Sequence, residues 1–242
     1  GHSIGGKQAL VAGAFDERTQ KGARAFVRIL RAAGVDFAIL GDEERCTGDL
    51  ARRIGHEYLF QMQAQANVET LNRYGVRKIV TACPHCYNTL RHEYPHFGGH
   101  YEVTHHTELI ARLLREGRVR PVKPLEQRVA YHDSCYLGRH NGIYAPPREI
   151  LRGIPGVRPV EFERTREDGF CCGAGGGMIW FEERIGTRVN LERTEEALRL
   201  LPQVVGTACP FCLSMFEDGI RAKDAAETLR VLDVAELVAA AL

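Results

Sequence analysis

The chain has 242 residues, of which 44% are apolar and 26% are charged, a composition typical of globular proteins and unlike that of disordered or collagen-like ones. Its 32 Lys and Arg residues against 31 Asp and Glu residues leave a formal charge of +1, which excludes the broad positive surface of a nucleic-acid-binding protein. Two domains of this combined size each bury a core without covalent cross-links, so the eight cysteines are not needed for stability.

Short apolar runs and helical spacings alternate along the first half of the chain. Apolar residues at helical spacing predict helices at 17–32, 50–74 and 107–116, the first two ended by Gly34 and Gly75. Strands are predicted at 9–12, 36–40, 78–81 and 101–104.

The second half follows the same order, with helices between its predicted strands. These strands lie at 128–131, 157–162, 204–207 and 228–232. The alternation predicts an α/β fold in which small parallel sheets carry helices on both faces. The segment 116–127, which contains Pro121 and Pro124, is the predicted linker.

Matching strings indicate an internal duplication. T-A-C-P-x-C occurs at 81–86 and again 126 residues later at 207–212. Cys46-Thr47-Gly48 lies 125 residues before Cys171-Cys172-Gly173, and 103–110 lies 128 residues before the similar string 231–238. A period this long predicts two similar domains, 1–120 and 121–242, that face each other across a pseudo-twofold axis. Ligands gather at the carboxyl ends of parallel strands, where these cysteine strings fall.

The second half carries five cysteines: Cys135, Cys171, Cys172, Cys209 and Cys212. Disulfides are a poor explanation, because adjacent cysteines rarely pair with each other and the number is odd. A structural zinc ion takes four ligands in a closed site, whereas five thiols are offered. An iron-sulfur cluster is favoured, since several irons need several thiolates and the glycine-rich run 173–177 lets backbone N–H groups approach the cluster's sulfides.

This pattern resembles the cysteine-rich CCG domain. Cys135, Cys171-Cys172-Gly173 and the C-P-F-C string at 209–212 match its motifs, and the resemblance covers essentially the whole chain. The domain occurs in duplicate in heterodisulfide reductase catalytic subunits and in iron-sulfur subunits of glycolate, lactate and glycerol-3-phosphate oxidation systems. The strings 132–138 and 171–177 are most similar to the carboxyl-terminal part of membrane-associated iron-sulfur oxidoreductases that accept electrons from electron-transfer flavoprotein.

The resemblance implies a cofactor, partners and a location. In such proteins the five cysteines bind a noncubane four-iron four-sulfur cluster, so it assigns Cys135, Cys171, Cys172, Cys209 and Cys212 as ligands. It implies a flavoprotein electron donor and a quinone or disulfide acceptor. The C-x2-C-x2-C-x3-C run of ferredoxin clusters and an apolar run of the roughly 20 residues a membrane span needs do not occur in the sequence. We expect a missing segment or partner to supply both, and a cytoplasmic location, on the cytoplasmic face of a membrane if the chain belongs to a larger protein.

The first half lacks two of the five thiols. Thr47 replaces the second cysteine of the pair, and the position that corresponds to Cys135 is about Val11. The remaining metal candidates are Cys46, Cys83 and Cys86, with His85, His105 and His106 as candidates for a fourth ligand. Three cysteines and one histidine form a zinc pattern, although a cysteine-poor cluster and an empty structural remnant stay open. His85 is expected to point outward.

Two weaker signals have simpler explanations. Gly173-x-Gly175 lacks the preceding strand and the later strand-end acid of a dinucleotide-binding fingerprint. The string H-D-S-C at 132–135 contains the residue types of a catalytic triad, but a triad needs neighbours in space and not in sequence. We therefore interpret Cys135 as a ligand.

Other residues near the motifs are given structural roles. His132 is expected to satisfy a strand-end carbonyl in preference to donating to the cluster or a substrate. The charged run 182–199 is predicted to be a solvated helix face, which would also suit docking of a flavoprotein. Trp180 and Phe181 are expected in the core in preference to lining a pocket.

The sequence thus predicts an iron-sulfur electron-transfer oxidoreductase subunit or fragment. Two other classes compete with it. One is a non-redox module with zinc in both halves, and the other is a thiol-disulfide enzyme without metal.

Overall fold

The computed structural model describes residues 8–11, 17–181 and 183–242 of the chain, and this part contains two parallel four-stranded sheets. The first has the spatial order β2-β1-β3-β4, with β1 (Gln8–Val11), β2 (Phe37–Ile39), β3 (Lys78–Thr81) and β4 (Glu102–His105). The second repeats it as β6-β5-β7-β8, with β5 (Gln127–Tyr131), β6 (Val157–Glu161), β7 (Val204–Thr207) and β8 (Arg230–Asp233). The predicted fold class is confirmed.

Helices connect the strands in both halves. They are α1 (Glu17–Ala32), α2 (Asp49–Arg53), α3 (Glu57–Arg73), α4 (Pro84–Asn88), α5 (His106–Arg115), α6 (Ala145–Arg152), α7 (Val189–Arg199), α8 (Pro210–Ala222) and α9 (Val234–Ala241). Short 3-10 turns occupy Gly41–Glu43, Tyr94–Phe97, Arg166–Asp168 and Gly175–Trp180, and a π-helical turn spans Thr89–Glu93.

The single helix predicted at 50–74 is two helices, α2 and α3. The chain turns at Gly55, whose φ of +85° lies in the left-handed region that favours glycine. His56 then begins the second helix, because its Nδ1 accepts a hydrogen bond from the Leu59 backbone N–H at 3.3 Å. The apolar spacing continues through this break, which is why the sequence alone did not show it.

Alternate residues of the central strands face opposite sides of each sheet. In β3, Ile79 packs with Phe60 and Tyr87 on the outer side, whereas Val80 joins the core between the two halves. In β7, Val205 faces the outer core of the second half and Val204 faces the shared core. Successive side chains of a strand point to opposite faces of the sheet, and here both faces are apolar. Each sheet is therefore covered by helices on both faces.

One apolar core runs through both halves of the chain. Helix α1 packs against α9, and the corresponding helix of the second half, α6, packs against α5. Phe26 of α1, Leu109 of α5, Ile150 of α6 and Val238 of α9 are all buried in this core. Each half thus packs its first long helix, α1 or α6, against the last helix of the other half, α9 or α5. The two halves face each other through these helices. The boundary between 1–120 and 121–242 stays a prediction.

Helices α7 and α8 approach each other closely because α8 carries a glycine at the contact. A Cβ atom at Gly219 would overlap the hydroxyl of Thr194, so a side chain does not fit there. This packing fixes α8, whose first turn carries Cys212. Among the described residues, no helix has both the length and the apolar character that crossing a membrane requires.

Candidate metal centre

The cysteines follow the carboxyl ends of parallel strands. Cys209 comes two residues after the end of β7 and is the N-cap of α8, with Pro210 at the first helical position and Cys212 in the first turn. Proline suits this position because the N–H that it lacks has no helical partner there. In the first half, Cys83 is the N-cap of α4 in the same way. The repeated string therefore builds the same strand-loop-helix corner twice.

The five thiols of the second half lie in one continuous series of contacts. Each of these thiols lies close enough to the next to shift its pKa, in the order Cys135, Cys171, Cys172, Cys212 and Cys209. Cys172, Cys209 and Cys212 are buried, whereas Cys135 and Cys171 are partly exposed. The set thus has a buried side and an accessible side.

The turn at the cysteine pair supplies a backbone donor to the set. Gly173 N–H donates to the sulfur of Cys171 at 3.3 Å. The neighbouring thiols of Cys135 and Cys172, and to a smaller extent this backbone N–H, lower the pKa of Cys171. Gly173 has a φ of +93°, and a Cβ there would lie 3.2 Å from the backbone nitrogen of Asn190. Glycine is needed here both for the backbone conformation and for the space.

Buried polar groups surround the second-half thiols. A ring nitrogen of His132 and the sulfurs of Cys172 and Cys212 lie within 4.8 Å of one another. Arg193 donates its Nε–H to His132 Nδ1 at 3.2 Å, while His132 Nε2 is buried without a protein partner. Burial, together with the charge of Arg193, lowers the pKa of His132 to about 3. The imidazole is therefore neutral.

A buried ion pair holds the loop that carries Cys135. Both Asp133 carboxylate oxygens accept hydrogen bonds from Arg148 on α6, at 2.8 and 2.7 Å, and Arg166 N–H donates to one of them at 2.8 Å. Burial raises the pKa of Asp133, but these hydrogen bonds outweigh it and hold the pKa below its usual value. Asp133 pairs with Arg148, and His132 with Arg193, so the residues at 132–135 are not arranged as a triad.

The three thiols of the first half have fewer partners. Cys83 contacts Cys86, and the hydroxyl of Thr47 donates to the Cys86 sulfur at 3.5 Å. Gly48 N–H donates to the sulfur of Cys46 at 3.4 Å, in the same turn that Gly173 makes in the second half. Burial raises the pKa of the Cys46 thiol. The local backbone is thus retained around a smaller set of thiols.

The strand register changes the expected counterpart of Cys135. Val11 pairs with Thr81, and Tyr131 pairs with Gly206. Since Thr81 corresponds to Thr207 in the repeated string, Val11 corresponds to His132 and not to Cys135. The counterpart of Cys135 therefore follows β1 among residues 12–16, which lie outside the described residues and contain no cysteine.

The three candidate histidines of the first half have hydrogen-bond partners other than the cysteines. His85 is buried instead of pointing outward, and its Nδ1 lies 2.9 Å from Asp49 Oδ2. His106 Nε2 lies 2.9 Å from Asp233 Oδ1 of the other half, and its Nδ1 lies 3.3 Å from His105 Nε2. His105 Nδ1 lies 2.8 Å from the Thr107 hydroxyl. These bonds involve both ring nitrogens of His105 and His106 but only Nδ1 of His85.

The two cysteine sets meet at the interface between the halves. The thiols of Cys83 and Cys209 lie close enough to shift each other's pKa. The ring of His85 stacks on Tyr136 with centroids 4.1 Å apart, and Tyr136 stacks on His140 at 4.3 Å. Since Tyr136 follows Cys135, the aromatic stack runs from α4 of the first half past the accessible side of the thiol set to exposed His140.

Besides the expectation for His85, three further structural expectations are wrong. His132 Nδ1 accepts from Arg193 and does not donate to a strand-end carbonyl. Trp180 and Phe181 are 71% and 58% exposed and do not belong to the core. The helix face predicted to be solvated buries Arg193 and Glu196, because they face the second-half sheet from α7.

Arg193 and Glu196 are residues that the sequence analysis missed. The buried positions Asn190, Arg193, Thr194 and Ala197 have the i, i+3, i+4, i+7 spacing of an inward helix face. That face is polar, so hydrophobic periodicity did not mark it. A stripe of small and polar residues at helical spacing, between two cysteine motifs of the sequence, is the signal that would have identified this buried face.

The second-half residues fit an iron-sulfur cluster. Such clusters are held by several thiolates and accept hydrogen bonds on their sulfurs. Five thiols are gathered here, and two polar side chains of the same region, His132 and Arg193, have buried atoms without a protein partner. In the protein interior such groups are expected to find a partner. The three-thiol set of the first half does not offer the ligands of the same cluster.

Known proteins share this pattern. The cysteine-rich domain family CCG matches the chain twice, at residues 13–91 and 129–217. The "Probable iron-sulfur-binding oxidoreductase FadF" of Bacillus subtilis is 52% identical over 227 residues, which cover 94% of this chain and 32% of that protein. The "EtfAB:quinone oxidoreductase" of Syntrophomonas wolfei is 48% identical over 231 residues, covering 93% and 32%.

A third relative belongs to the "Dihydromethanophenazine:CoB--CoM heterodisulfide reductase" of Methanosarcina barkeri, of which it is one subunit. It is 36% identical over 222 residues, covering 89% of this chain and 54% of its own length. The chain thus spans about a third of the length of the first two relatives and about half of the third. The double match follows the duplication seen in the two sheets, and it confirms the predicted family. The chain belongs to the cysteine-rich CCG domain family.

Proposed function

We propose that the chain is an electron-transfer unit of an iron-sulfur oxidoreductase, with a four-iron four-sulfur cluster of the noncubane kind held by Cys135, Cys171, Cys172, Cys209 and Cys212. The observation that carries the proposal is the single contact series of these five thiols among buried donors without partners. A bound cluster would accept and release single electrons. The protein would set its potential through the ligands, N–H donors and solvent access.

The accessible side of the thiol set is where we place electron exchange with partners. Cys135 and Cys171 are partly exposed, and Tyr136 and His140 lie beside them. The buried side, with Cys172, Cys209 and Cys212, excludes water. A donor flavoprotein and a quinone or disulfide acceptor are supported by the names of two relatives, the EtfAB:quinone oxidoreductase and the heterodisulfide reductase. The longer relatives leave room for ferredoxin-like and membrane segments that complete the path, on the cytoplasmic face of a membrane.

For the first half we propose a separate zinc or other mononuclear metal on Cys46, Cys83 and Cys86. Electrostatic interaction of the Cys46 thiol with those of Cys83 and Cys86 supports this assignment. Hydrogen bonds to both ring nitrogens of His105 and His106 disfavour those two histidines as the fourth ligand. The contact between Cys83 and Cys209 would bring the two metal sites next to each other.

Metal analysis tests the proposal. Protein purified without oxygen is expected to contain about four irons and four sulfides per chain. Cys172→Ser should lose iron and the EPR signal of the reduced or oxidised cluster, whereas the matched control Cys46→Ser should keep both and lose only the first-half metal. Colourless protein with one zinc in each half and no iron would instead support the non-redox module. Electron transfer that survives complete removal of iron would support a metal-free thiol-disulfide enzyme.

A further inference from the structure

By position alone, His132 is a candidate sixth ligand for the thiol set. Its ring nitrogen and the sulfurs of Cys172 and Cys212 lie within 4.8 Å of one another. Two thiolates and an imidazole are also a donor set that zinc accepts. The question is therefore whether His132 binds a metal or donates a hydrogen bond.

Arg193 decides which nitrogen of His132 carries the proton. A guanidinium group has only donors, and Arg193 Nε–H points at His132 Nδ1 over 3.2 Å. Nδ1 must then present its lone pair, because a proton there would place two donors against each other. A neutral imidazole with a bare Nδ1 carries its proton on Nε2. Nε2 is the nitrogen that is buried without a protein partner.

Arg193 is itself held in place from three sides. Its Nη1 donates to Glu196 Oε2 at 2.7 Å and to the carbonyl oxygen of Arg164 at 3.1 Å. The guanidinium carbon lies 3.8 Å from the centroid of the Phe162 ring. The side chain is 1% exposed. It cannot turn away to leave Nδ1 free for a proton without breaking these contacts.

Metal binding through Nε2 would need a lone pair on that nitrogen. The proton would have to move to Nδ1, against the Arg193 donor, or leave the ring altogether as an imidazolate. We propose that His132 is a hydrogen-bond donor and not a ligand: its Nε2–H donates to a sulfur of the cluster that the second half binds, and Arg193 is the positioning residue that fixes this tautomer. The identity of the acceptor, a cluster sulfur, rests on the proposed function. The tautomer of His132 does not depend on it.

A hydrogen bond to a cluster sulfur favours the reduced state, in which the sulfurs carry more negative charge, so it raises the reduction potential. Removal of the donor should lower the potential without loss of iron. Removal of a ligand should instead lose metal or change the cluster type. The two roles therefore predict different results for the same substitution.

The first experiment uses the metal-free, reduced protein and reads the ring nitrogens by 15N NMR. Wild-type His132 is expected to show protonated Nε2 and unprotonated Nδ1. Arg193→Met should shift the ring toward a mixture of tautomers, and Arg193→Lys should restore part of the preference. Arg164→Met is the matched control, because Arg164 also donates to Glu196 but does not contact His132. An unprotonated Nε2 in the wild type, or an Arg193→Met spectrum identical to wild type, would overturn the inference.

The second experiment uses the iron-loaded protein. His132→Phe should keep its iron, lower the reduction potential and lose an exchangeable-proton coupling in pulsed EPR. His132→Gln offers an amide N–H at a similar reach and should recover much of the potential. Loss of iron in both variants would identify His132 as a ligand and overturn the proposal. If no cluster can be loaded at all, the proposed function is wrong. The NMR measurement on the metal-free protein then still decides whether Arg193 fixes the tautomer of His132.

Discussion

Glu196 on α7 accepts hydrogen bonds from both Arg164 and Arg193, so its substitution tests how much these buried ion pairs beside the metal centre stabilise the fold. Its side chain is 3% exposed and accepts four hydrogen bonds, from Arg164 N–H, Nε and Nη2 and from Arg193 Nη1, at 2.7 to 3.1 Å. Glu196→Gln keeps the shape but places an amide against two guanidinium groups. Removing one partner of a buried ion pair costs about 3–5 kcal/mol. In a chain of this size that lowers Tm by roughly 6–20 °C.

The acid dependence of this loss has a definite sign. Burial raises the pKa of Glu196, but hydrogen bonds and charge from Arg164 and Arg193 outweigh it and hold the pKa below its usual value of 4.5. A carboxylate whose pKa is lower in the folded state stabilises the fold above its unfolded pKa, and this contribution is lost as the pH falls through the folded pKa. Since Gln resembles the protonated acid, the difference between wild type and Glu196→Gln should be full at pH 7 and shrink below about pH 4.5.

Thermal and urea unfolding of the reduced protein between pH 7 and pH 3.5 measures both effects. Glu149→Gln is the matched control, because Glu149 pairs with Arg115 at 3.0 Å while both side chains remain exposed, at 38% and 66%. An exposed pair contributes about 0–1 kcal/mol. Equal losses in the two variants, or a Glu196→Gln deficit that stays constant into acid, would refute the reasoning.

Two other substitutions test the packing and the contact between the halves. Gly219→Ala should destabilise the protein by about 1–3 kcal/mol, because the added methyl group overpacks the contact between α7 and α8. Gly22→Ala in α1 has room for its methyl group and should stabilise the protein by about 0.5–1 kcal/mol. Urea unfolding measures both changes in the free energy of unfolding, and two changes of the same sign would contradict this geometry. Asp233→Ala removes the cap of α9 and the partner of His106, so we expect a loss of about 2–4 kcal/mol, and clearly less for Asp233→Asn, which keeps an acceptor. An Asp233→Ala Tm equal to that of the wild type would show that this bond between the halves contributes little.

The strands were predictable because each consists of a few apolar residues between turns. The predicted strand at 78–81 coincides with β3, and that at 204–207 with β7, since both are buried central strands with apolar side chains on both faces. The other predicted strand and helix ends differ from the observed ones by at most two residues. The break at Gly55 was missed because the apolar spacing of α2 and α3 is continuous.

The spacing of cysteines predicted the metal centre better than the residues that surround it. Motif spacing identifies thiols at strand ends, because parallel strands end at one edge of a sheet. It does not report that Arg193 on α7 reaches His132 after β5, since that contact joins residues 61 positions apart through packing. Nor did it show that Asp133 pairs with Arg148 on α6. Hydrogen-bond partners of this kind are decided by tertiary structure.

The first half supports the second-half site although it lacks two of the thiols. His105 lies against the carbonyl groups of Ala82 and Ala208, the residues that precede Cys83 and Cys209. Burial and the neighbouring His106 lower the pKa of His105 well below its usual value, so the ring is neutral. One neutral imidazole thus contacts both cysteine-bearing corners and fixes them relative to each other.

A chain reduced to 121–242 is therefore expected to lose the cluster although all five cysteines remain. Ile150, Leu237 and Val238 belong to the core shared with the first half, and exposing three such side chains costs roughly 5–9 kcal/mol. This equals much of the 5–15 kcal/mol that stabilises an ordinary domain. Separately produced first half, added during anaerobic reconstitution, should restore iron binding because it covers this core and supplies His105. Folded 121–242 that binds a full complement of iron by itself would show that the first half is not needed for the site.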